Sequence, residues 1–326
     1  MTTLVTGASG FLGRAVLRQL AASARNDRVL AADLSTPQIP RDRRFTAAAA
    51  DITDAASRRE LIAEADRIIH LAAVPGGTSE ADYAASRGVN LEASLALLEE
   101  TAALRPRTRF VYASTIAVFS APLPPQIDDA TPPRPTMTYG AHKLMVEIAL
   151  ANLTRLGRLD GLALRLPGLV ARPAGENGPQ SAFISDIFRA AQAHEPFLVP
   201  MKAVATLWLM SARQAADNLL RAAFMRTPTE ATPRVMTLPA LRVRASDLVG
   251  EIVVETGSRS SFRYEPDAVL EAQFGELPPL STPLAEALGF AHDGDLSRLV
   301  CTVIEDLAEE EPRLGRGAPQ ASQAVA

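Results

Sequence analysis

Short apolar strands alternating with helical periodicities, a glycine-rich turn between the first strand and first helix, and an acidic residue closing the second strand predict an α/β protein. The expected architecture is a Rossmann-type, doubly wound parallel sheet followed by a smaller C-terminal substrate-binding lobe. Leu4, Val5 and Thr6 form the first strand and lead into Gly7, Gly10 and Gly13, after which Ala15, Val16, Leu17 and Leu20 recur at helical spacing. Gly7 suits a tight turn, Gly10 lets the backbone approach a pyrophosphate at the helix N-terminus, and Gly13 lets helix and strand pack closely. Ser9, Phe11 and Leu12 share this turn and are cofactor-binding candidates with it. The second strand, Val29 to Ala32, ends on Asp33, 20 residues beyond Gly13. A carboxylate there accepts from both ribose hydroxyls of NAD and repels the 2′-phosphate of NADP, and Leu34 and Ser35 supply no compensating cation.

Arg44 to Ala50 read as a third strand, followed by Asp51 and Ile52, and Thr53 or Asp54 can cap a helix running through Ala63. Arg67 to Ala73 read as a fourth strand. Its end, Leu71, Ala72 and Ala73, is small and close to Gly76 and Gly77, which suits a backbone passing against a cofactor. A long helix is expected from about Tyr83 to Leu104, then a strand from Arg109 to Ser114 with Thr115 at its carboxyl end. A loop bearing Pro122, Pro124, Pro125, Pro132, Pro133 and Pro135 leads to a helix starting near Tyr139, and Gly161 to Leu166 form the next strand.

These elements place an NAD-binding Rossmann domain at residues 1–170. Residues 171–308 are expected to be mainly a substrate-binding lobe, with some elements returning to the main sheet. This stretch opens with a loop containing Pro173, Gly175, Gly178 and Pro179 and a helix over Phe183 to Ala193. Residues 309–326, rich in Gly, Pro, Gln and Ala and without periodicity, are expected to be a disordered tail.

The net charge of −4 gives no electrostatic reason to bind nucleic acid or an anionic membrane. The first strand begins almost at once, leaving no basic and apolar leader, and no apolar run is long enough to span a bilayer. The single cysteine, Cys301, fits a reducing compartment, so a soluble cytoplasmic protein is expected. The four histidines, His70, His142, His194 and His292, form no metal-ligand spacing, and no metal is expected.

Tyr139 and Lys143 stand four residues apart and share one helix face. A phenol titrates near 10, and a neighbouring ammonium stabilises its phenolate, which makes Tyr139 a candidate base for a hydroxyl proton. An exposed helical pair is the alternative reading of this spacing alone.

Taken together, Gly7, Gly10 and Gly13, Asp33, Asp51 and Ile52, the run His70 to Ala73, Asn90, Thr115, and Tyr139 with Lys143 resemble the extended short-chain dehydrogenase/reductase family over the first 170 residues or so. The resemblance implies Tyr139 as catalytic acid/base, Lys143 as the residue that lowers its pKa and binds the nicotinamide ribose, and Thr115 as the hydroxyl holding the reacting oxygen. Most relatives carry Ser at that position. Ser114 is the rival, but strand alternation turns the two side chains to opposite faces. By the same resemblance Asp51 and Ile52 contact the adenine, Leu71 to Ala73 border the cofactor, and Asn90 supports the site by hydrogen bonds. Asp51 can also be read as a carboxylate favoured by the adjacent helix. Dehydratases of this kind carry an acidic pair after the strand-end hydroxyl, where this chain has Ile116 and Ala117.

The segments Ser114 to Pro124, Met137 to Gly140, Arg165 to Pro167, Ala171 to Pro173 and Ser211 to Arg213 are similar to a branch that oxidises a four-carbon sugar acid, D-erythronate, at C2 with NAD. A sugar-acid carboxylate suits the planar fork of arginine, which makes Arg172 and Arg213 substrate-binding candidates, with Ser79 as a further hydroxyl. The alternatives are an NAD-dependent nucleotide-sugar 4-epimerase and a non-catalytic NAD-binding sensor. Relatives commonly pair as homodimers through the helices bearing Tyr139 and Asn90.

Overall fold

The structure, a computed structural model, describes residues 1–172, 183–226, 229 and 232–314. The first half contains β1 (Thr2–Thr6), α1 (Phe11–Ala22), β2 (Arg28–Asp33), β3 (Phe45–Ala49), α2 (Ala55–Glu64), β4 (Arg67–His70), α3 (Gly76–Ala81), α4 (Tyr83–Ser86), α5 (Ser94–Leu104), β5 (Arg109–Thr115), α6 (Thr138–Arg155) and β6 (Asp160–Leu166). The second half contains β7 (Gly168–Val170), α7 (Phe183–Ala193), β8 (Phe197–Val199), β9 (Thr206–Ser211), α8 (Ala212–Phe224), β10 (Val235–Thr237), β11 (Leu241–Arg244), α9 (Ala245–Thr256), β12 (Phe262–Tyr264), α10 (Ala268–Phe274), α11 (Pro283–Ala287) and α12 (Leu296–Leu314).

Seven strands form one sheet in the order β10-β6-β5-β4-β1-β2-β3, every neighbouring pair parallel. Alternation along the strands supplies two apolar faces. Val5, Ala31, Ile69 and Val111 face α1 and α8, whereas Leu4, Leu30, Ile68 and Phe110 face α2, α5 and α6. Strand order reverses between β1 and β4, and the crevice at their carboxyl ends is where such sheets bind ligands. A smaller sheet, β11-β9-β7, and the pair β12-β8 accompany a separate core built on α7, α9 and α12. The chain then returns to the main sheet, because β10 pairs with β6.

Several boundaries differ from the sequence expectation. β4 stops at His70, so Leu71 to Ala73 leave the sheet, and Gly76 opens α3. The helix expected over 83–104 contains a π-helical stretch, Arg87–Ala93, where the Ser94 hydroxyl bonds the Val89 carbonyl at 3.1 Å. Residues 309–314 of the expected tail are helical, since α12 starts at an Asp295 side chain that accepts from the Arg298 amide and is anchored by buried Leu299, Val300 and Val303. The rest of that tail, and the loop from Pro173 to Pro179, lie outside the described residues. Among the described residues no helix is long and apolar enough to cross a membrane.

The turn after β1 is tightly constrained. Gly7 has φ +71°, and a β-carbon there would lie 2.6 Å from the Ala72 nitrogen; one on Gly13 would lie 2.2 Å from the Gly7 carbonyl oxygen. Alanine is favoured over glycine inside a helix by about 1 kcal/mol, but the obstacle at Gly13 is backbone and cannot swing aside. Gly13→Ala is therefore expected to lose about 1–3 kcal/mol of stability net, the range typical of overpacking, read as a lower urea midpoint; an unchanged or higher midpoint contradicts this packing.

Candidate active site

α6 carries Tyr139, Lys143 and Glu147 at successive four-residue steps along one face. Lys143 and Glu147 are each 1% exposed. The Lys143 ammonium donates to the Ala113 carbonyl at 2.8 Å and lies 4.6 Å from the centroid of the Tyr112 ring, whose face attracts a cation. Glu147 accepts from the Ser114 hydroxyl and from Arg165 Nε and Nη2, at 3.0 and 2.8 Å for the guanidinium contacts. Strand alternation sends the next side chain the other way. Thr115 accepts from the Ala117 amide at 3.1 Å and lines the main cavity, so it is Thr115 whose hydroxyl is not drawn to Glu147.

The electrostatics differ from the expectation that Lys143 lowers Tyr139. Burial pushes Lys143 down to about 7, opposed by Glu147. Burial pushes Tyr139 upward, and the positive charge that opposes this is Arg172. Lys143 Nζ lies 5.7 Å from the Tyr139 ring centroid. His70 bonds Thr6 and Ser94 through its two ring nitrogens, and burial brings its pKa down to about 3, so it is a neutral structural residue.

One cavity of about 510 Å³ joins these groups to the glycine turn. Gly7, Gly10, Phe11, Leu12 and Gly13 border it on one side, and Leu71 and Ala73 at the switch point. Thr115, Tyr139, Lys143 and Arg172 complete the chemical wall. The residues fit a dinucleotide. The N-terminus of α1 has no side-chain cap, leaving backbone donors for a phosphate, and the Ser9 hydroxyl beside it is buried without a partner among the described residues. Asp33 accepts from the Ser9 amide and the Leu34 amide, both at 2.8 Å, so each carboxylate oxygen steadies the turn and keeps a further acceptor site for a ribose hydroxyl. Ala72 packs against Gly7, and Asp51 and Ile52 follow β3, next to Asp33; Asp51 bonds Thr53, and the Ile52 carbonyl accepts from Arg58.

Three expected residues are not brought to the cavity. Asn90 spends its amide on Val74 N and O, Ser79 and Ser86, pinning the segment after β4 rather than facing the cofactor space. Ser79 is fully buried and donates to the Val74 carbonyl, so it is a structural hydroxyl and not a substrate contact. Arg213, in the first turn of α8, pairs with Glu305 and Asp306 of α12 and fastens two helices together. Sequence spacing missed Glu147, although its position four residues after Lys143 was a usable signal. Trp208 and Gln273 carried none, because what draws them in is tertiary, and the pairing of Arg165 with Glu147 is tertiary as well. Among the described residues no group of three His, Cys, Asp or Glu side chains could hold a metal ion.

The uncapped helix at a strand-order reversal, with a half-buried tyrosine and a buried lysine on α6 lining the same crevice, defines a dinucleotide-dependent α/β enzyme. The chain belongs to the NAD dependent epimerase/dehydratase family, whose profile matches residues 3–223, and NAD is its cofactor. It is 32% identical over 319 residues to a D-erythronate dehydrogenase of Cupriavidus necator, covering 94% of this chain and 98% of that one. A D-erythronate dehydrogenase of Haemophilus influenzae is 28% identical over 312 residues, covering 94% and 99%. Among solved structures, a nucleoside-diphosphate-sugar epimerase from Agrobacterium tumefaciens superimposes with a TM-score of 0.86 at 26% identity, covering 95% of each chain.

Arg213→Ala is expected to lower stability by less than about 1 kcal/mol, as for a partly exposed ion pair, and to leave kcat/KM unchanged. A loss of activity beyond threefold at unchanged fold would return Arg213 to the substrate site.

Proposed function

We propose that this protein is an NAD-dependent dehydrogenase that oxidises the C2 hydroxyl of a small sugar acid, with D-erythronate going to 2-dehydro-D-erythronate as the favoured reaction. The observation that carries the reading is the convergence of Thr115, Tyr139, Lys143 and Arg172 on one cavity beside the glycine turn. The two D-erythronate dehydrogenases, similar over nearly the whole chain, support it. NAD, when bound, accepts the hydride released from C2. Arg172 meets the substrate carboxylate with its guanidinium fork. Thr115 Oγ1 holds the C2 oxygen while Tyr139 Oη takes its proton. Lys143, fixed on the Ala113 carbonyl, faces the cofactor ribose, and Asp33 selects NAD over NADP at the other ribose.

The protein acts as a homodimer in the cytoplasm on this reading, with exposed Met145 and Ile148 on α6 and Leu104 on α5 as the apolar surface that pairs. A nucleotide-sugar epimerase is the second reading, favoured by the likeness to the Agrobacterium tumefaciens structure. NAD reduction screened across small sugar acids, uronates and UDP-sugars separates them, and silence with every sugar acid rejects the dehydrogenase proposal.

Tyr139→Phe is expected to reduce turnover about 10²- to 10⁴-fold while NAD binding, followed by calorimetry, is retained. Because burial raises Tyr139 and Arg172 opposes it, oxidation should accelerate as pH rises through the tyrosine's pKa, and Arg172→Met should move that limb to higher pH while raising KM for the acid. A limb that stays put removes Arg172 as the charge acting on Tyr139. Asp33→Ala should erode the preference for NAD over NADP; unchanged selectivity refutes the ribose assignment.

A further inference from the structure

We infer that Gln273 is a specificity residue that reads a substrate hydroxyl away from the carbon being oxidised, an assignment that rests on the dehydrogenase reading above. Gln273 lies on α10 and lines the same cavity as Tyr139 and Lys143. Its side-chain oxygen is buried and has no hydrogen-bond partner among the described residues. Leaving a buried amide oxygen unpaired is unfavourable, and a ligand that donates to it relieves that cost on binding.

The helix that carries the amide is also held in place. At the start of α10 the Asp267 side chain accepts from the Val269 and Leu270 amides, both at 2.9 Å. Midway, Glu271 accepts from the Lys202 amide at 2.6 Å. Beyond the helix the chain is strapped to β9. The Thr206 amide donates to the Gly275 carbonyl at 2.9 Å, the Thr206 hydroxyl to the Leu277 carbonyl at 2.8 Å, and the Trp208 indole to the Pro278 carbonyl at 2.8 Å. These bonds fix the helix at both ends, so the backbone that carries Gln273 keeps its place against the cavity.

The chemistry selects the ligand class. Ala272 and Leu277, which flank Gln273 in sequence and line the cavity with it, are apolar and offer no competing partner. A carboxamide carries no charge, so it does not compete with Arg172 for a carboxylate. An alcohol both donates and accepts and therefore satisfies the amide oxygen and, in turn, the amide nitrogen. The ligand is accordingly a 2-hydroxy acid bearing at least one further hydroxyl, at C3 or C4 in a four-carbon acid, rather than a simple 2-hydroxy acid. A site built to bond a hydroxyl discriminates against the analogue that lacks it, because its own polar group is then left unpaired.

The test compares D-erythronate with (R)-2-hydroxybutyrate, which has the same carbon chain and C2 configuration but lacks the C3 and C4 hydroxyls. NAD reduction by the wild type and by Gln273→Leu is measured on both acids, with NAD affinity as the check on folding and Gln273→Ala as the replacement if the leucine variant does not fold. The expected result is a roughly tenfold fall in kcat/KM on D-erythronate, carried mainly by KM and equivalent to about one hydrogen bond, with 2-hydroxybutyrate changed less than twofold. An equal fall on both acids, or no fall on D-erythronate, overturns the assignment while the dehydrogenase reading stands. A wild type inert on both acids rejects the sugar-acid reading and the Gln273 assignment together.

Discussion

Two opposite charges buried one helical turn apart, Lys143 and Glu147, set the arrangement of the site. Each would be costly in an apolar interior without compensation. The ammonium finds the Ala113 carbonyl and the face of Tyr112, and the carboxylate finds Ser114 and Arg165. Those partners lie on β5 and β6, so satisfying the charges fixes the rotation and height of α6 against two central strands. A slip of α6 by one residue would break both sets of bonds, and breaking a buried pair from one side costs about 3–5 kcal/mol. Tyr139, one turn earlier on the same face, inherits that placement, and Thr115 is aimed by being the neighbour of a serine already committed to Glu147.

The remaining geometry follows from the reversal of strand order between β1 and β4. The glycine turn leaves β1 and the irregular segment Leu71 to Pro75 leaves β4 in opposite directions, opening the crevice between them. Neither segment is loose. Asp33 holds the first by the Ser9 amide, and Asn90 holds the second by both backbone groups of Val74. Asn90 sits in a π-helical stretch, and its side chain reaches Val74, Ser79 and Ser86 from there.

The parts legible from sequence were those in which local pattern and tertiary role coincide. The glycine spacing, the Asp33 strand end and the Tyr139–Lys143 step each follow from a backbone requirement or a helix repeat, and the sheet follows from short apolar strands. Errors fell where partners come from far along the chain. Arg213 looked like a cleft residue because Glu305 and Asp306, more than 90 positions later, could not be foreseen. Ser79 read as a substrate contact because a buried amide clamp has no linear signature, and Asn90, expected to support the site by hydrogen bonds, anchors Val74, Ser79 and Ser86. The direction of the Tyr139 shift depended on burial and on Arg172, which periodicity does not report. Gln273 belongs to the same class, being a single glutamine in a short helix whose meaning is its depth.

The late return of the chain to the main sheet has a consequence for how this architecture can be recombined. α8 covers Val5 and Val111 with Ala215, Ala216 and Leu219, and β10 adds the strand beyond β6. A cut after residue 170 would therefore strip one face of the nucleotide-binding half and remove one of its edges, so the two halves are not interchangeable cassettes. New selectivity is more accessible by exchanging interior stretches, such as 183–199 or 241–274, whose ends lead back to elements that stay in place. The main sheet thus depends on residues from both sides of position 170, and neither part of the chain completes its own core alone.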